Sequence, residues 1–132
     1  MLGGIGVDIV KVKRFERWLT NPGLLHRFFH ERDLEFALSQ GVGVTQSLAG
    51  RFAAKEAFIK ALNTDCLAIA RLPSFSFKDI YVCKDGCGKR RLVLPDVIKS
   101  VLKENDIDKV HLSISHEKDF AVAVVIIERE ES

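Results

Sequence analysis

The sequence is poor in the features that mark secreted, membrane or metal-stapled proteins. Of its 132 residues, three are cysteine and three are proline. An odd number of cysteines excludes a complete disulfide framework, and no CxxC pair is present to begin a zinc site. The longest apolar run, residues 120–127, is far shorter than the ~20 residues that a membrane helix needs. We therefore predict a protein of the reducing cytoplasm with no membrane segment and no signal peptide.

An excess of charge of either sign is also missing. Lys and Arg total 20 against 18 Asp and Glu, which gives a net charge of +2. This balance excludes a protein that binds nucleic acid by bulk basicity. The basic residues are nevertheless concentrated locally, since residues 10–30 contain five Lys or Arg and one Glu. Such a segment is typical either of a solvated helix face or of a docking patch for an anionic partner.

The spacing of apolar residues predicts one α+β domain over residues 1–132, in which a mainly antiparallel sheet packs on one long buried helix. The long helix covers residues 45–62, where apolar side chains surround almost the whole helix axis. Strands are predicted at 4–10, 75–83, 91–94, 111–115 and 120–128, and short helices at 11–19, 24–29, 32–39 and 95–104. We expect the first strand to be mostly buried and residues 84–88 to form a hairpin with an Asp-Gly turn.

Charged residues inside these apolar elements are the first candidates for function. Asp8 interrupts the apolar strand, and burial of its carboxylate requires a cation, a basic partner or a solvent cleft. A structural salt bridge is the simpler alternative. Glu56 and Lys60 lie one turn apart on the long helix, which is the spacing of an ordinary stabilising ion pair. On a helix with so little polar surface, the same pair also indicates a cleft.

Arg51 and His116 are two further candidates. Arg51 lies about 180° from Lys60 around the helix, so the two side chains do not easily serve one ligand within one subunit. This separation predicts either two roles or a site shared between subunits. His116 follows Ser113-Ile114-Ser115 at a strand end, where a histidine is either a surface residue or a donor to phosphate.

The combination of Asp8, Glu56 and Lys60 favours magnesium chemistry on a pyrophosphate. Mg²⁺ is commonly held by one or two carboxylates, with water and substrate phosphate completing its octahedral shell. A lysine then supplies a point charge for a phosphate oxygen. A metal-dependent nuclease uses similar residues and would need further carboxylates nearby. A third hypothesis is a non-catalytic module that binds an acidic helix through Lys13, Arg14 and Arg17.

Two motifs together resemble one enzyme family. Residues 4–9 are GIGVDI, and residues 50–61 are GRFAAKEAFIKA. This pair is similar to the signature of the phosphopantetheinyl transferases. The short chain and the sequence SISH at residues 113–116 resemble the holo-acyl-carrier-protein synthase branch of that family.

The resemblance implies an activity and a set of roles. The enzyme would transfer 4′-phosphopantetheine from coenzyme A to a serine of apo acyl carrier protein, release adenosine 3′,5′-bisphosphate and support fatty acid biosynthesis. Mg²⁺ would bind Asp8 and Glu56, and Lys60 would join them as the third catalytic residue by neutralising the pyrophosphate. The proton acceptor would be Glu56, either directly or through a water on the metal. The resemblance also implies coenzyme A contacts from Arg51, Lys60 and His116.

The same resemblance implies an assembly and a docking surface. Members of the branch are homotrimers with active sites between subunits, which would accommodate the position of Arg51. Arg14 and Arg17 would dock the acidic carrier protein, with Phe52 near that contact. Two segments depart from the family pattern: residues 62–65 are LNTD where it has a glycine-rich turn, and Arg90 follows Gly88-Lys89 where it has proline.

Overall fold

The computed structural model describes residues 1–63 and 75–130, which form a mixed helix and sheet structure. Its strands are β1 Leu2–Lys11, β2 Tyr81–Lys84, β3 Arg90–Val93, β4 Ile107–His116 and β5 Phe120–Arg129. Its α-helices are α1 Pro22–Phe28, α2 Glu31–Leu38, α3 Val44–Asn63 and α4 Asp96–Glu104. Short 3₁₀ turns occur at Val12–Phe15, Trp18–Thr20, Gly41–Gly43 and Phe77–Asp79. Among the described residues, no helix is both long and apolar enough to cross a membrane.

A three-stranded antiparallel sheet, in the order β1-β5-β4, packs one face against α3. The second sheet is the antiparallel hairpin β2-β3. Helix α3 lies at the centre, with twelve of its residues buried between Leu48 and Leu62. The predicted α+β architecture and the long helix are therefore confirmed.

Strand β1 differs from its prediction because only one face of the sheet is covered. Ile5, Val7 and Ile9 are each more than half exposed on the outer face, whereas Gly6 and Val10 are buried on the inner face. A strand in a one-sided sheet alternates in this way, since successive side chains point to opposite faces. The prediction of a mostly buried strand was wrong for the outer half of its residues.

The absence of a side chain at Gly6 sets the distance between β1 and α3. A Cβ atom at this position would lie 1.9 Å from the Ala57 carbonyl oxygen and 2.5 Å from the Ala61 nitrogen. Only glycine permits that approach, because both obstructing atoms belong to the helix backbone. Asp8 shares the inner face with Gly6, so the close packing brings its carboxylate to the edge of α3.

The predicted helix at residues 11–19 is replaced by two 3₁₀ turns, Val12–Phe15 and Trp18–Thr20. Val12, Phe15 and Trp18 are all buried and recur every three residues. That spacing matches the three-residue turn of a 3₁₀ helix better than the 3.6-residue turn of an α-helix. The basic residues between them remain on the exposed side.

The hairpin also differs in detail from its prediction. Residues 77–79 form a 3₁₀ turn, and the strand begins only at Tyr81. The hairpin connection is residues 85–89, one residue later than predicted, and within it the Asp85 side chain accepts hydrogen bonds from the nitrogens of Cys87 (2.9 Å) and Lys89 (3.0 Å). Gly88 takes the left-handed conformation, with φ of 80°. Residues 62–65, where the sequence departs from the family pattern, lie partly outside the described residues, because the first described segment ends at Asn63.

Candidate active site

Asp8, Glu56 and Lys60, here called the surface cluster, lie together where β1 crosses α3. The Lys60 Nζ is 2.8 Å from Asp8 Oδ1 and also donates to the Val7 carbonyl at 3.2 Å. The Asp8 side chain is 13% exposed and that of Lys60 is 51% exposed. The cation that accompanies Asp8 is therefore Lys60, and their ion pair lies at the protein surface.

Glu56 adds a second carboxylate beside this ion pair. Burial raises the pKa of Glu56 most, the neighbouring Asp8 charge raises it further, and Lys60 and Arg14 lower it in part. The hydrogen bond to Asp8 raises the pKa of Lys60, with burial opposing this effect. Two carboxylates and one ammonium leave this cluster with one excess negative charge when all three are ionised.

The surface cluster has the donor set of a magnesium site. Two carboxylates from different elements supply hard oxygen ligands, and the half-buried position of Glu56 favours a cation beside it. Within residues 1–63 and 75–130, no group of three or more His, Cys, Asp or Glu is arranged to hold a metal. A metal ion held by Asp8 and Glu56 would therefore need water or substrate atoms to complete its coordination shell.

Arg51 belongs to a different cluster, here called the buried cluster, which consists of Asp33, Arg51 and Lys55. The Asp33 carboxylate is fully buried, with one oxygen 2.8 Å from Arg51 Nη1 and the other 2.8 Å from Lys55 Nζ. Lys55 also donates to the Phe28 carbonyl at 2.8 Å. Burial lowers the pKa of Lys55, and the Asp33 charge opposes that shift. Because the Asp33 carboxylate supports both cations, their burial is compensated by hydrogen bonds.

Asp33 and Lys55 were not among the residues selected from sequence. Lys55 offers a signal, because it lies between Ala54 and Glu56 on a helix with almost no polar face. A lysine at such a position needs a buried acceptor. The sequence contains many acids, and only the packing of α2 against α3 identifies Asp33 as that acceptor.

His116 and Arg51 border a cavity of about 170 Å³ that also exposes Arg90, Phe36 and Ser47. His116 Nε2 lies 3.0 Å from the Gln46 carbonyl, so this nitrogen carries the proton and donates. Burial lowers the pKa of His116, and the Arg90 charge lowers it further. Burial, followed by the charge of Arg51, also lowers the pKa of Arg90. The cavity therefore has a positive lining that suits an anionic ligand.

Gly50 makes the position of His116 possible. A Cβ on Gly50 would lie 2.5 Å from His116 Nε2, so the histidine ring lies directly against the helix. Ser113 and Ser115 are exposed and alternate with Ile114 and His116 along β4. Their hydroxyls therefore point to the opposite face of the sheet from His116.

Arg14 stacks on a cluster of aromatic rings. Its guanidinium lies 4.9 Å from the Phe52 ring centre, 5.6 Å from that of Trp18 and 5.8 Å from that of Phe15. Phe52 is only 6% exposed and packs against the rings of Phe15 and Trp18. Arg14 is also close enough to Glu56 to lower its pKa. Arg17, one turn away, is exposed.

The structure thus groups the predicted residues into two sets. Asp8, Glu56 and Lys60 meet, with Arg14 beside them, and Arg51 meets His116 at the cavity. Arg51 and Lys60 are on opposite sides of α3 and about 13 Å apart along its axis, at ~1.5 Å per residue. The separation expected from the helical positions is therefore present in the single chain.

Comparison with known proteins gives one consistent family. A curated relative named holo-[acyl-carrier-protein] synthase, from Treponema denticola, is 48% identical over 128 residues, which are 97% of this chain and 99% of the relative. The crystal structure of the synthase from Neisseria meningitidis aligns with a TM-score of 0.81 at 34% identity and covers 98% of this chain and 100% of the other. The Bacillus anthracis synthase, solved with CoA (3′,5′-ADP), aligns with a TM-score of 0.74 at 37% identity over 98% of this chain and 99% of the other.

The family model agrees with these relatives over most of the chain. It is described as the 4′-phosphopantetheinyl transferase superfamily and matches residues 4–125. This range includes both the surface cluster and the buried cluster, as well as His116. On these grounds, the chain belongs to the 4′-phosphopantetheinyl transferase superfamily.

Proposed function

We propose that this chain performs phosphopantetheinyl transfer as a magnesium-dependent homotrimer. The reaction moves 4′-phosphopantetheine from coenzyme A to a serine of apo acyl carrier protein and releases adenosine 3′,5′-bisphosphate. The observation that carries the proposal is the surface cluster, in which Asp8, Glu56 and Lys60 lie together within a chain that matches the family over residues 4–125. We further propose that the reaction occurs in the cytoplasm and supplies carrier protein for fatty acid synthesis.

Asp8 and Glu56 are the residues that would hold Mg²⁺. The bound ion would supply positive charge beside the pyrophosphate of coenzyme A. A nuclease of the kind considered above needs further carboxylates at this point, and the described residues contain no such group. The donor set therefore favours cleavage of the coenzyme A pyrophosphate with transfer of 4′-phosphopantetheine over nucleic acid cleavage.

Glu56 and Lys60 have complementary tasks in this proposal. Glu56 accepts the proton of the serine hydroxyl as its oxygen attacks the β-phosphorus. A raised pKa suits this task, because the carboxylate then holds the proton more firmly than an ordinary glutamate. The Lys60 ammonium, half exposed beside Asp8, is available to the pyrophosphate oxygens, where charge accumulates as the bond to the leaving group breaks.

The cavity on the other side of α3 would bind the adenosine 3′-phosphate end of coenzyme A. Arg51, Arg90 and His116 line it and provide positive charge and hydrogen-bonding groups. Its volume of about 170 Å³ admits only part of so large a ligand. The remainder of coenzyme A would lie outside the cavity and extend to the surface cluster of one of the subunits.

A neighbouring subunit is the natural source of that cluster. Within one chain the cavity and the surface cluster are on opposite sides of α3. The outer face of the sheet would supply an interface, since exposed Ile5, Val7 and Ile9 form a row beside Val122 and Val124. A continuous apolar face of this kind marks a protein contact. A closed trimer would cover it and bring the two half-sites together.

The basic N-terminal segment would receive the carrier protein. Arg14 and Arg17 are exposed, and Arg14 lies beside Glu56. Phe52 is buried beneath Arg14 and would act as its platform rather than touch the partner directly. An acidic carrier protein bound there would present its serine to the surface cluster.

The first experiment is mass spectrometry of an apo carrier protein incubated with coenzyme A and this enzyme. We expect a mass gain of one phosphopantetheine group with Mg²⁺ and none after chelation with EDTA. No modification under either condition contradicts the transfer. Full modification with EDTA contradicts the metal requirement alone.

The second experiment tests the shared site by mixing two inactive variants. Glu56→Gln removes the proton acceptor, and Arg51→Ala removes the cavity arginine. If each site takes these groups from different subunits, mixed trimers regain a fraction of wild-type activity after the variants are unfolded and refolded together. Molecular mass in solution gives the oligomeric state. Activity that stays absent in mixed trimers contradicts the shared site.

A further inference from the structure

We infer that Asp33 is a positioning residue that orients Arg51 for the anionic end of coenzyme A. The inference deepens the proposed function, because it assumes that the cavity bordered by Arg51 binds this substrate. Asp33 itself is fully buried, lies outside the cavity lining and has no described contact with the surface cluster. Its effect on substrate is therefore indirect.

The Asp33 carboxylate holds three structural elements together. Oδ1 accepts from Arg51 Nη1 at 2.8 Å and from the Val82 nitrogen at 3.1 Å. Oδ2 accepts from Lys55 Nζ at 2.8 Å and from the His30 nitrogen at 3.3 Å. Helix α2 carries the carboxylate, α3 carries both cations and β2 carries Val82. One side chain thus fixes the relative positions of the elements that form the cavity wall.

The donors of Arg51 are divided in a way that leaves one nitrogen for a ligand. Nη1 donates to Asp33 and to the Val82 carbonyl at 2.6 Å, and Nε donates to Ser47 Oγ at 3.3 Å. A guanidinium has five N–H donors, and these three bonds leave the two on Nη2. No acceptor for Nη2 is found in the described part of the chain.

A cation–π contact adds to the hydrogen bonds of the Arg51 guanidinium. The Arg51 group lies 4.4 Å from the centre of the Phe36 ring, which also borders the cavity. Stacking and three hydrogen bonds hold an otherwise flexible side chain in one orientation. This arrangement lowers the conformational entropy that Arg51 would lose when it binds an anion.

Arg51 and Lys55 can be perturbed separately, which allows a test with a matched control. Both cations bind the same carboxylate, but Arg51 borders the cavity and Lys55 does not. Asp33→Asn keeps the shape of the side chain and removes the charge that orients Arg51. Lys55→Met disturbs the same buried cluster and leaves the Arg51–Asp33 bond in place. It is therefore the matched control for loss of stability.

We expect Asp33→Asn to raise the KM for coenzyme A at least about tenfold, the effect of losing one charge-assisted hydrogen bond. The KM for carrier protein and kcat should change less than threefold. Direct titration of coenzyme A by calorimetry should show the same loss of affinity. Lys55→Met should keep the wild-type coenzyme A affinity at temperatures where it is folded. Asp33→Glu, which restores the charge, should recover much of the affinity.

A double mutant covers the case in which Asp33→Asn folds poorly. Arg51→Lys keeps a cation for Asp33 and removes Nη2, so it should weaken coenzyme A binding by itself. Adding Asp33→Asn to Arg51→Lys should then cause little further loss. Additive losses, equal losses in Lys55→Met, or unchanged affinity in folded Asp33→Asn would overturn the inference. The proposed function would be overturned by a different result, namely that the wild-type enzyme neither binds coenzyme A nor transfers its phosphopantetheine.

Discussion

Helix α3 takes part in two clusters that share an Asp–Lys ion pair but lie in different surroundings. In each, a carboxylate from another element lies 2.8 Å from a lysine of the helix. Lys55 is completely buried, whereas the side chain of Lys60 is half exposed. Burial lowers the pKa of Lys55, while its hydrogen bond to Asp8 raises that of Lys60. Solvent access therefore distinguishes a pair that is enclosed in the fold from one that a ligand can reach.

The third member of each cluster shows the same difference. Arg51 adds a second cation to the buried carboxylate and is fixed by hydrogen bonds. Glu56 adds a second carboxylate to the surface pair and has a raised pKa. In the buried cluster two cations share one carboxylate, whereas in the surface cluster two carboxylates share one lysine, with Arg14 beside Glu56. Four predictions test this comparison, taken from the largest expected effect to the smallest.

Glu56→Gln should have the largest effect, and we expect it to lower transfer activity without lowering stability. Loss of a general base reduces the rate by about 10²- to 10⁴-fold. Stability should be unchanged or slightly increased, because the variant removes a carboxylate that burial and Asp8 both disfavour. Initial rates of carrier-protein modification and thermal unfolding measure the two effects. Glu104→Gln, an exposed change on α4, is the control, and a comparable rate in the two variants would remove Glu56 from the mechanism.

Lys55→Met and Lys60→Met should have opposite consequences. Breaking the buried pair costs about 3–5 kcal/mol of unfolding free energy. Breaking the surface pair costs about 0–1 kcal/mol. Transfer activity should follow the reverse order, since only Lys60 faces the pyrophosphate in our proposal. Denaturant titration gives the stabilities, and equal destabilisation by the two variants would contradict the distinction drawn from burial.

Gly6→Ala should damage the surface cluster through the backbone. The new methyl group would meet the helix backbone at Ala57 and Ala61, which forces β1 away from α3 and carries Asp8 with it. Overpacking of this kind costs about 1–3 kcal/mol. Gly86→Ala is the matched control, because no atom lies within 4 Å of a Cβ at Gly86. Denaturation midpoints and transfer rates provide the measurements, and the same behaviour in both variants would show that the close contact is unimportant.

His116→Gln should produce the smallest change, visible in the pH dependence of stability. Burial and Arg90 lower the pKa of His116 from its ordinary value of 6.5. The unfolded chain therefore takes up this proton more readily than the folded chain. The stabilising contribution of the neutral ring is present above about pH 6.5 and is lost as the pH falls through the lowered pKa. Thermal unfolding between pH 5 and pH 8 should show a shallower acid-side loss in the variant, by at most a few degrees; an unchanged slope would assign that loss to other groups.

Much of the fold was predictable because its hydrophobic spacing is regular. The long helix was placed within a residue of Val44–Asn63, since alanine and large apolar residues surround its axis. Strand β5 was placed within a residue for a similar reason. The segment at residues 11–19 was harder to predict, because the spacing of Val12, Phe15 and Trp18 is compatible with both an α-helix and a 3₁₀ helix. Packing among the aromatic rings in the folded protein favours the 3₁₀ turns.

The candidate site was predictable only in its charged residues. Asp8, Glu56 and Lys60 can be identified from sequence because each interrupts an apolar element, and the structure places the three side chains together. Their roles with Mg²⁺ and coenzyme A, like the docking role of Arg14, remain predictions. Asp33 was missed because it lies in an amphipathic helix whose charged residues look solvent-exposed from sequence.

By itself, the sequence determined the local features of this protein: which segments form the main helix and strands, which polar residues lie among apolar neighbours, and which family motifs are present. Local patterns suffice there, because propensity and periodicity act over a few residues. Only the tertiary structure decided which carboxylate pairs with which cation and which of the ion pairs is buried away from solvent. Those outcomes depend on burial between elements distant in sequence, such as α2 against α3, and the free energy of a charge depends on that burial.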